Sequence, residues 1–195
     1  MRYVALGDSY TIGTSVRAKD RWPDQLVRRL PSLELIANPA VNGFTSADLI
    51  EHELPGLAAW RPELVTVLIG VNDVVRGVDE DEYARNVDVI LDRLTERVGA
   101  SRVVAVAIPD YTVTPRGGDY GDPTERRAAI GSFNAIMAAG CGRRAVAFVA
   151  DTWEISRRAG EDPSLVAEDG LHPSGAQYRL WVDAIAPVVA RLLGD

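Results

Sequence analysis

The feature that most constrains the fold is a series of short apolar runs separated by segments with helical periodicity. The clearest run, residues 64–69, is almost wholly apolar and is ended by Gly70. Such a run is typical of a strand buried on both faces of a parallel sheet. Four similar runs predict further strands, at residues 3–6, 33–37, 103–108 and 145–150.

The segments between these runs predict helices. Residues 79–98 carry apolar side chains at spacings of three and four, with acidic residues in the first turn. Further helices are predicted near residues 22–30, after an N-cap at Ser46, over about 123–139, and from Ser174 onward. We expect one domain over residues 1–195, an α/β three-layer α/β/α sandwich around a flavodoxin-like five-stranded parallel sheet.

Charge and composition narrow the classes of partner. The formal net charge is −7 at pH 7, and the arginines are interspersed with acidic residues, which argues against nucleic-acid binding. No apolar run approaches the roughly 18 residues of a membrane span.

The lone cysteine, Cys141, predicts a buried structural thiol. The first predicted strand begins almost at Met1, so we expect a cytoplasmic protein, although a removed signal sequence would leave no trace. Nothing in the sequence indicates the oligomeric state.

Polar and glycine residues follow the first three strands, where ligands bind in such sheets. Ser9, in Gly-Asp-Ser, is either an ordinary turn serine or a nucleophile. Gly43 either turns the chain or presents its N–H to an oxyanion. Asn72, in Gly-Val-Asn-Asp, either caps a turn or donates its side-chain amide to an oxyanion.

Asp169 and His172 lie in Asp-Gly-Leu-His-Pro, ahead of the last predicted helix. Their simplest interpretation is a capping aspartate and a partly exposed histidine. A serine nucleophile, however, needs an imidazole to take its proton and a carboxylate to hold that imidazole. The presence of Ser9 therefore favours a catalytic pair. The other histidine, His52, lies on a presumed surface helix with no partner at metal-ligand spacing, and no metal or cofactor motif is predicted.

In their order along the chain, these four motifs resemble the SGNH (GDSL-type) hydrolase family over residues 7–173. The resemblance implies that Ser9 is the nucleophile, His172 the general base and acid, and Asp169 its orienting carboxylate. It further implies an oxyanion hole made by the N–H groups of Ser9 and Gly43 and the Asn72 side chain, with no metal or organic cofactor. The implied fold agrees with the strand pattern.

Two features qualify the resemblance. Tyr10 replaces the leucine of the GDSL block, which puts in doubt a close parallel to plant-type or secreted lipases. The compact length instead resembles bacterial esterase and lysophospholipase-like members. The Gly-x-Ser-x-Gly motif of α/β-hydrolases is absent around Ser9, which disfavours that other superfamily.

Substrate choice is expected to depend on the loop at residues 110–122, where Tyr111, Arg116 and Tyr120 are predicted to contact substrate. No long apolar lid is visible, so small-molecule esters with short or medium acyl chains are the first expectation. A deacetylase of an acetylated sugar or small metabolite, and an acyltransferase, are the alternatives. A catalytically silent ligand-binding domain is a more remote one.

Overall fold

A computed structural model describes residues 1–194 and contains one five-stranded sheet whose order is β2-β1-β3-β4-β5. The strands are β1 (Arg2–Gly7), β2 (Glu34–Ala37), β3 (Leu64–Leu68), β4 (Val103–Val106) and β5 (Ala147–Val149). All neighbouring pairs are parallel. The sheet therefore confirms the predicted flavodoxin-like arrangement.

α-Helices connect the strands, and short 3₁₀ or π turns join several of them. They are α1 (Ser9–Ile12), α2 (Trp22–Arg29), α3 (Ser46–Asp48), α4 (Leu57–Trp60), α5 (Val71–Arg76), α6 (Glu80–Val98), α7 (Pro123–Arg144), α8 (Asp151–Arg157) and α9 (Gly175–Leu193). No helix within residues 1–194 is both long and apolar enough to cross a membrane.

The helices form two groups, as right-handed crossovers require. One group packs α9 against α2 and α8, and the other packs α6 against α7. The first group fully buries Trp22 and Trp181, while the second stacks Tyr83 on Phe133 with ring centroids 4.2 Å apart. Cys141 is buried, as predicted.

Sheet register brings the loops that follow β1 and β3 together. Gly7, the last residue of β1, pairs with Leu68, the last residue of β3. Strand β2 lies on the other side of β1, so the strand order reverses at β1. Ligands bind at such a reversal, beyond the carboxyl ends of the strands.

Several boundaries differ from the sequence prediction, and β4 ends at Val106 instead of residue 108. Helix α7 continues to Arg144 instead of ending near residue 139. Its continuation shortens β5, because Ala145 ends the helix in a left-handed conformation with φ 54°. The predicted N-cap at Ser46 is wrong, since Thr45 caps α3 and forms a capping box with Asp48.

Candidate active site

Ser9 lies at the start of α1, two residues beyond the end of β1. Asp8 caps this helix, and its carboxylate accepts a hydrogen bond from the Tyr10 N–H at 3.0 Å. At Gly7 a Cβ atom would lie 2.3 Å from the Leu68 carbonyl oxygen, so only glycine fits there. The bend between strand and helix therefore fixes the position of Ser9, which is 7% exposed.

Asp169 and His172 form a hydrogen-bonded pair in the loop before α9. The distance from Asp169 Oδ2 to His172 Nδ1 is 2.6 Å. Asp169 Oδ1 accepts from the backbone N–H groups of Leu171 and His172, both at 2.9 Å. The Ser15 hydroxyl, which belongs to no motif recognised in the sequence, donates to Asp169 Oδ2 at 2.7 Å.

These hydrogen bonds determine the charge of Asp169. Partial burial alone would raise the pKa of its carboxyl group, but the donors from Ser15, Leu171 and His172 hold that pKa well below its usual range. An ionised carboxylate only accepts hydrogen bonds, so the neutral imidazole must carry its proton on Nδ1. Nε2 is then left as the proton acceptor.

Gly43 and Asn72 lie on the loop after β2 and at the start of α5. Gly43 adopts a positive φ of 84°, which favours glycine, and its carbonyl oxygen accepts from Arg76 at 2.7 Å. Asn72 donates from Nδ2 to the Phe44 carbonyl oxygen at 2.9 Å and meets Asp8 Oδ2 only at 3.5 Å. That second contact is long and weak, so one amide hydrogen remains available for another acceptor.

Asp73, next to Asn72, ties the loop after β2 to α5. Its buried carboxylate accepts from the backbone N–H of Ser46 at 2.9 Å and from the Ser46 hydroxyl. Burial raises the pKa of Asp73, and these two donors oppose that rise. The relative placement of Gly43 and Asn72 therefore depends on a buried ionisable group that does not touch the site.

A cavity of about 180 Å³ brings the predicted residues together. Its walls are Ser9, Tyr10, Asn42, Gly43, Val71, Asn72, Val75, Tyr111, Tyr120, Leu171 and His172. Asp169 lies behind His172. Arg116 is not among the lining residues; its exposed side chain pairs with Asp119 at 2.8 Å.

Two buried acids beneath Ser9 were not recognised as such in the sequence. Asp8 is fully buried, and this burial raises its pKa to about 7. Glu53 is 1% exposed and accepts from the Gly7 N–H at 3.0 Å, and burial raises its pKa to about 8. The negative charge of Asp8 adds to the rise at Glu53. The site therefore rests on two carboxyl groups that titrate near neutral pH.

Contacts with α2 and α9 support the histidine loop. The Tyr10 ring lies 5.2 Å from the His172 ring and stacks on Trp181 at 6.4 Å. Gln25, in α2, donates from Nε2 to the carbonyl oxygen of Gly175 at 3.0 Å. Among the residues described, no cluster of His, Cys, Asp and Glu side chains is arranged to hold a metal ion.

A serine beside a carboxylate-paired histidine, at the reversal point of a flavodoxin-like sheet, is typical of serine-dependent acyl hydrolases. A comparison with protein families gives a narrower assignment. Residues 5–180 match the GDSL-like lipase/acylhydrolase family. The chain belongs to this family and is an ester-hydrolysing enzyme.

No curated protein matched the sequence, but solved structures share the fold. TesA has 21% identity and a TM-score of 0.78, with 98% of this chain and 99% of TesA covered. The psychrotrophic esterase EstA from Pseudoalteromonas sp. has 16% identity and a TM-score of 0.75, with 100% and 99% covered. An acetyl xylan esterase variant from Geobacillus stearothermophilus has 18% identity and a TM-score of 0.72, with 96% and 94% covered. At these identities the similarity concerns the fold alone.

Proposed function

We propose that the protein hydrolyses carboxylic esters with short or medium acyl chains through a Ser-His-Asp triad. Ser9 Oγ attacks the ester carbonyl carbon while His172 Nε2 takes the hydroxyl proton. The resulting oxyanion is held by the N–H groups of Ser9 and Gly43 and by the Asn72 amide. His172 then gives its proton to the leaving alcohol, and water hydrolyses the acyl-enzyme through the same histidine.

The observation that carries this proposal is the 2.6 Å contact between His172 Nδ1 and Asp169, with His172 and Ser9 lining one cavity. A capping aspartate beside an unrelated histidine would not need this contact. The carboxylate orients the imidazole and stabilises the imidazolium that forms during each proton transfer. The capping alternative explains the backbone contacts of Asp169 but not the shared cavity.

Cavity size and lining support a small acyl group. The volume is about 180 Å³, below the roughly 300–1,000 Å³ typical of pockets for drug-sized ligands. Val71, Val75, Tyr111, Tyr120 and Leu171 provide apolar surface for an alkyl chain. The same volume also suits an acetyl group, so a deacetylase of an acetylated sugar is the second candidate. The acetyl xylan esterase has a similar fold.

The test is hydrolysis of p-nitrophenyl esters from acetate to dodecanoate, with Ser9→Ala in parallel. We expect activity that Ser9→Ala abolishes and that declines for the long acyl chains. A labelling experiment with a fluorophosphonate checks the nucleophile independently of substrate choice. Equal rates for wild type and Ser9→Ala, together with no labelling, would refute the proposal and favour a binding domain. Product analysis with an added acceptor alcohol separates hydrolysis from acyl transfer.

The walls of the cavity provide a test of substrate contact. Alanine replacement of Tyr111 and Tyr120 should shift the preferred acyl length upward, because it removes two aromatic rings from the cavity. Arg116 does not line the cavity, so we expect Arg116→Ala to change the profile less. If replacing all three left the profile unchanged, this loop would not contact the acyl group.

A further inference from the structure

A second depression adjoins the cavity at Asn42, which lines both. It measures about 500 Å³ and lies between residues 12–15, which include the last residue of the short helix α1, and residues 40–42, which follow β2. We refer to it as the 12–15/40–42 groove. None of the roles described above uses it.

The location of the groove relates it to the leaving group. Ser15, on one side, donates its hydroxyl hydrogen to Asp169 at 2.7 Å. The opposite side leads directly to Gly43. Because the leaving oxygen must receive its proton from His172, the alcohol portion of an ester has to lie on the histidine side of Ser9. The groove meets the cavity at Asn42 and reaches Ser15, which contacts the carboxylate partner of His172, so it borders the histidine side of the site.

The chemistry of the groove indicates what kind of alcohol fits. Its lining includes Ile12, Ala40 and Val41 and no charged side chain. The hydroxyl of Thr14 donates to Asn42 Oδ1, and that of Ser15 donates to Asp169, so both hydroxyl hydrogens are already used within the protein. Apart from these two hydroxyl groups and the Asn42 side chain, the side chains that line the groove are apolar.

Val41 is the clearest element of that surface. It is 44% exposed, and within residues 1–194 the large hydrophobic side chains that are exposed are Val41 and Val89. Val89, at 40% exposure, lies on α6 and does not line the groove. Single exposed apolar residues are common on protein surfaces. Val41 differs from Val89 in that it lines the groove that meets the cavity.

We propose that the 12–15/40–42 groove is a leaving-group subsite that binds the apolar alcohol portion of the ester, with Val41 as its principal contact. This inference rests on the proposed function, because it needs an ester bound at Ser9. It assigns the acyl group to the cavity beside Tyr111 and Tyr120 and the alcohol to the groove. The two halves of the substrate are then selected independently.

The test compares two acetate esters that differ only in the alcohol, methyl acetate and benzyl acetate, by the rate of acid release. Val41→Ser should lower kcat/KM for benzyl acetate by roughly three- to tenfold, as expected from losing part of one valine's apolar contact. It should leave methyl acetate unchanged. Val89→Ser removes an equally exposed valine elsewhere and should change neither rate.

A binding measurement keeps the groove testable without turnover. In Ser9→Ala, benzyl alcohol should shift the amide NMR signals of residues 12–15 and 40–42, and adding Val41→Ser should weaken this binding. Equal loss on both acetates, or no loss on either, would overturn the assignment, as would shifts confined to the Tyr111 side. Val41-dependent binding in a protein without Ser9-dependent hydrolysis would instead retain the groove and reject the proposed function.

Discussion

Removing the Ser15 hydroxyl should move the pH profile of the enzyme. Asp169 accepts hydrogen bonds from Ser15, His172 Nδ1 and the two backbone N–H groups of Leu171 and His172. Without Ser15 the carboxylate keeps three of these donors and becomes more basic. It then stabilises the imidazolium form of His172 more strongly. The acidic limb of kcat/KM should therefore move to higher pH, because His172 must be neutral to act as the base.

The size of the shift follows from the type of bond. A hydrogen bond to a charged group contributes about 1.5–3 kcal/mol, and Ser15 is exposed, so water replaces part of it in the variant. Only a fraction of that loss reaches the His172 proton. We therefore expect a shift to higher pH that is much smaller than the full strength of that hydrogen bond would give.

The backbone of Ser15 provides a control for folding. Ser15 has a φ of 65°, in the left-handed region. Ser15→Gly removes the hydroxyl and tolerates this conformation, whereas Ser15→Ala removes the hydroxyl and keeps the strain, which costs about 1–2 kcal/mol. Both variants should show the same shift of the acidic limb, and thermal melts should show Ser15→Gly to be the more stable of the two.

The assay is kcat/KM for p-nitrophenyl acetate in constant-ionic-strength buffers across the acidic limb. Identical limbs in wild type and both variants would refute the reasoning about Asp169. A uniform fall in rate at every pH, with the limb in place, would mean that Ser15 acts only on structure.

The free energy of unfolding offers a further check. The low pKa of Asp169 stabilises the native state at neutral pH, and this contribution is lost as pH falls through that pKa. The stability difference between wild type and Ser15→Gly should therefore shrink in acid.

Three further predictions concern Glu53, Asn72 and Gly7. Burial raises the pKa of Glu53 from 4.5 to about 8, so the folded state retains a proton that the unfolded chain releases, and stability should fall as pH rises through this window. Urea titrations of Glu53→Gln should show a smaller fall, and an unchanged slope would contradict the buried acid. Asn72→Ala should lower kcat by about 10²–10³, with only a small fall in melting temperature from the lost hydrogen bond to the Phe44 carbonyl oxygen. A loss of kcat below fivefold would remove Asn72 from the oxyanion hole. Gly7→Ala should lower the melting temperature sharply, because the new Cβ would lie 2.3 Å from the Leu68 carbonyl oxygen. The control, Gly131→Ala, changes an α7 position with open space around it and should stabilise the fold slightly. Similar melting temperatures for both variants would reject this argument.

The elements that could be predicted from sequence are those whose signal is local. A strand is predicted by the apolar run at residues 64–69 alone, and a helix by the spacing of apolar residues at 79–98 alone. Both elements are confirmed. The end of α7 could not be predicted this way, because Gly140 weakens a helix locally. In the structure its missing side chain allows close packing, since a Cβ would lie 3.0 Å from Val87 on α6.

The residues of the candidate site also fall into those with a local sequence signal and those without one. Ser9, Asn72 and His172 follow strands or precede a helix within recognisable motifs, so the sequence could propose them. Glu53 is next to His52, for which the sequence predicts a surface helix, but the segment Leu49–Glu53 is a π turn. The extra residue in such a turn changes which side chains face inward. Ser15 depends on a contact with Asp169 across almost the whole chain, for which no local pattern exists.

The hydrogen bond from Gln25 to the Gly175 carbonyl oxygen bears on the order in which activity and structure are lost during unfolding. Ser9 belongs to the beginning of the chain and His172 to its end, and α2 and α9 hold those two regions against each other. Detachment of α9 would separate the base from the nucleophile while the central strands stayed paired. Activity therefore depends on the contact between α2 and α9. Heat or denaturant should abolish activity before the sheet unfolds.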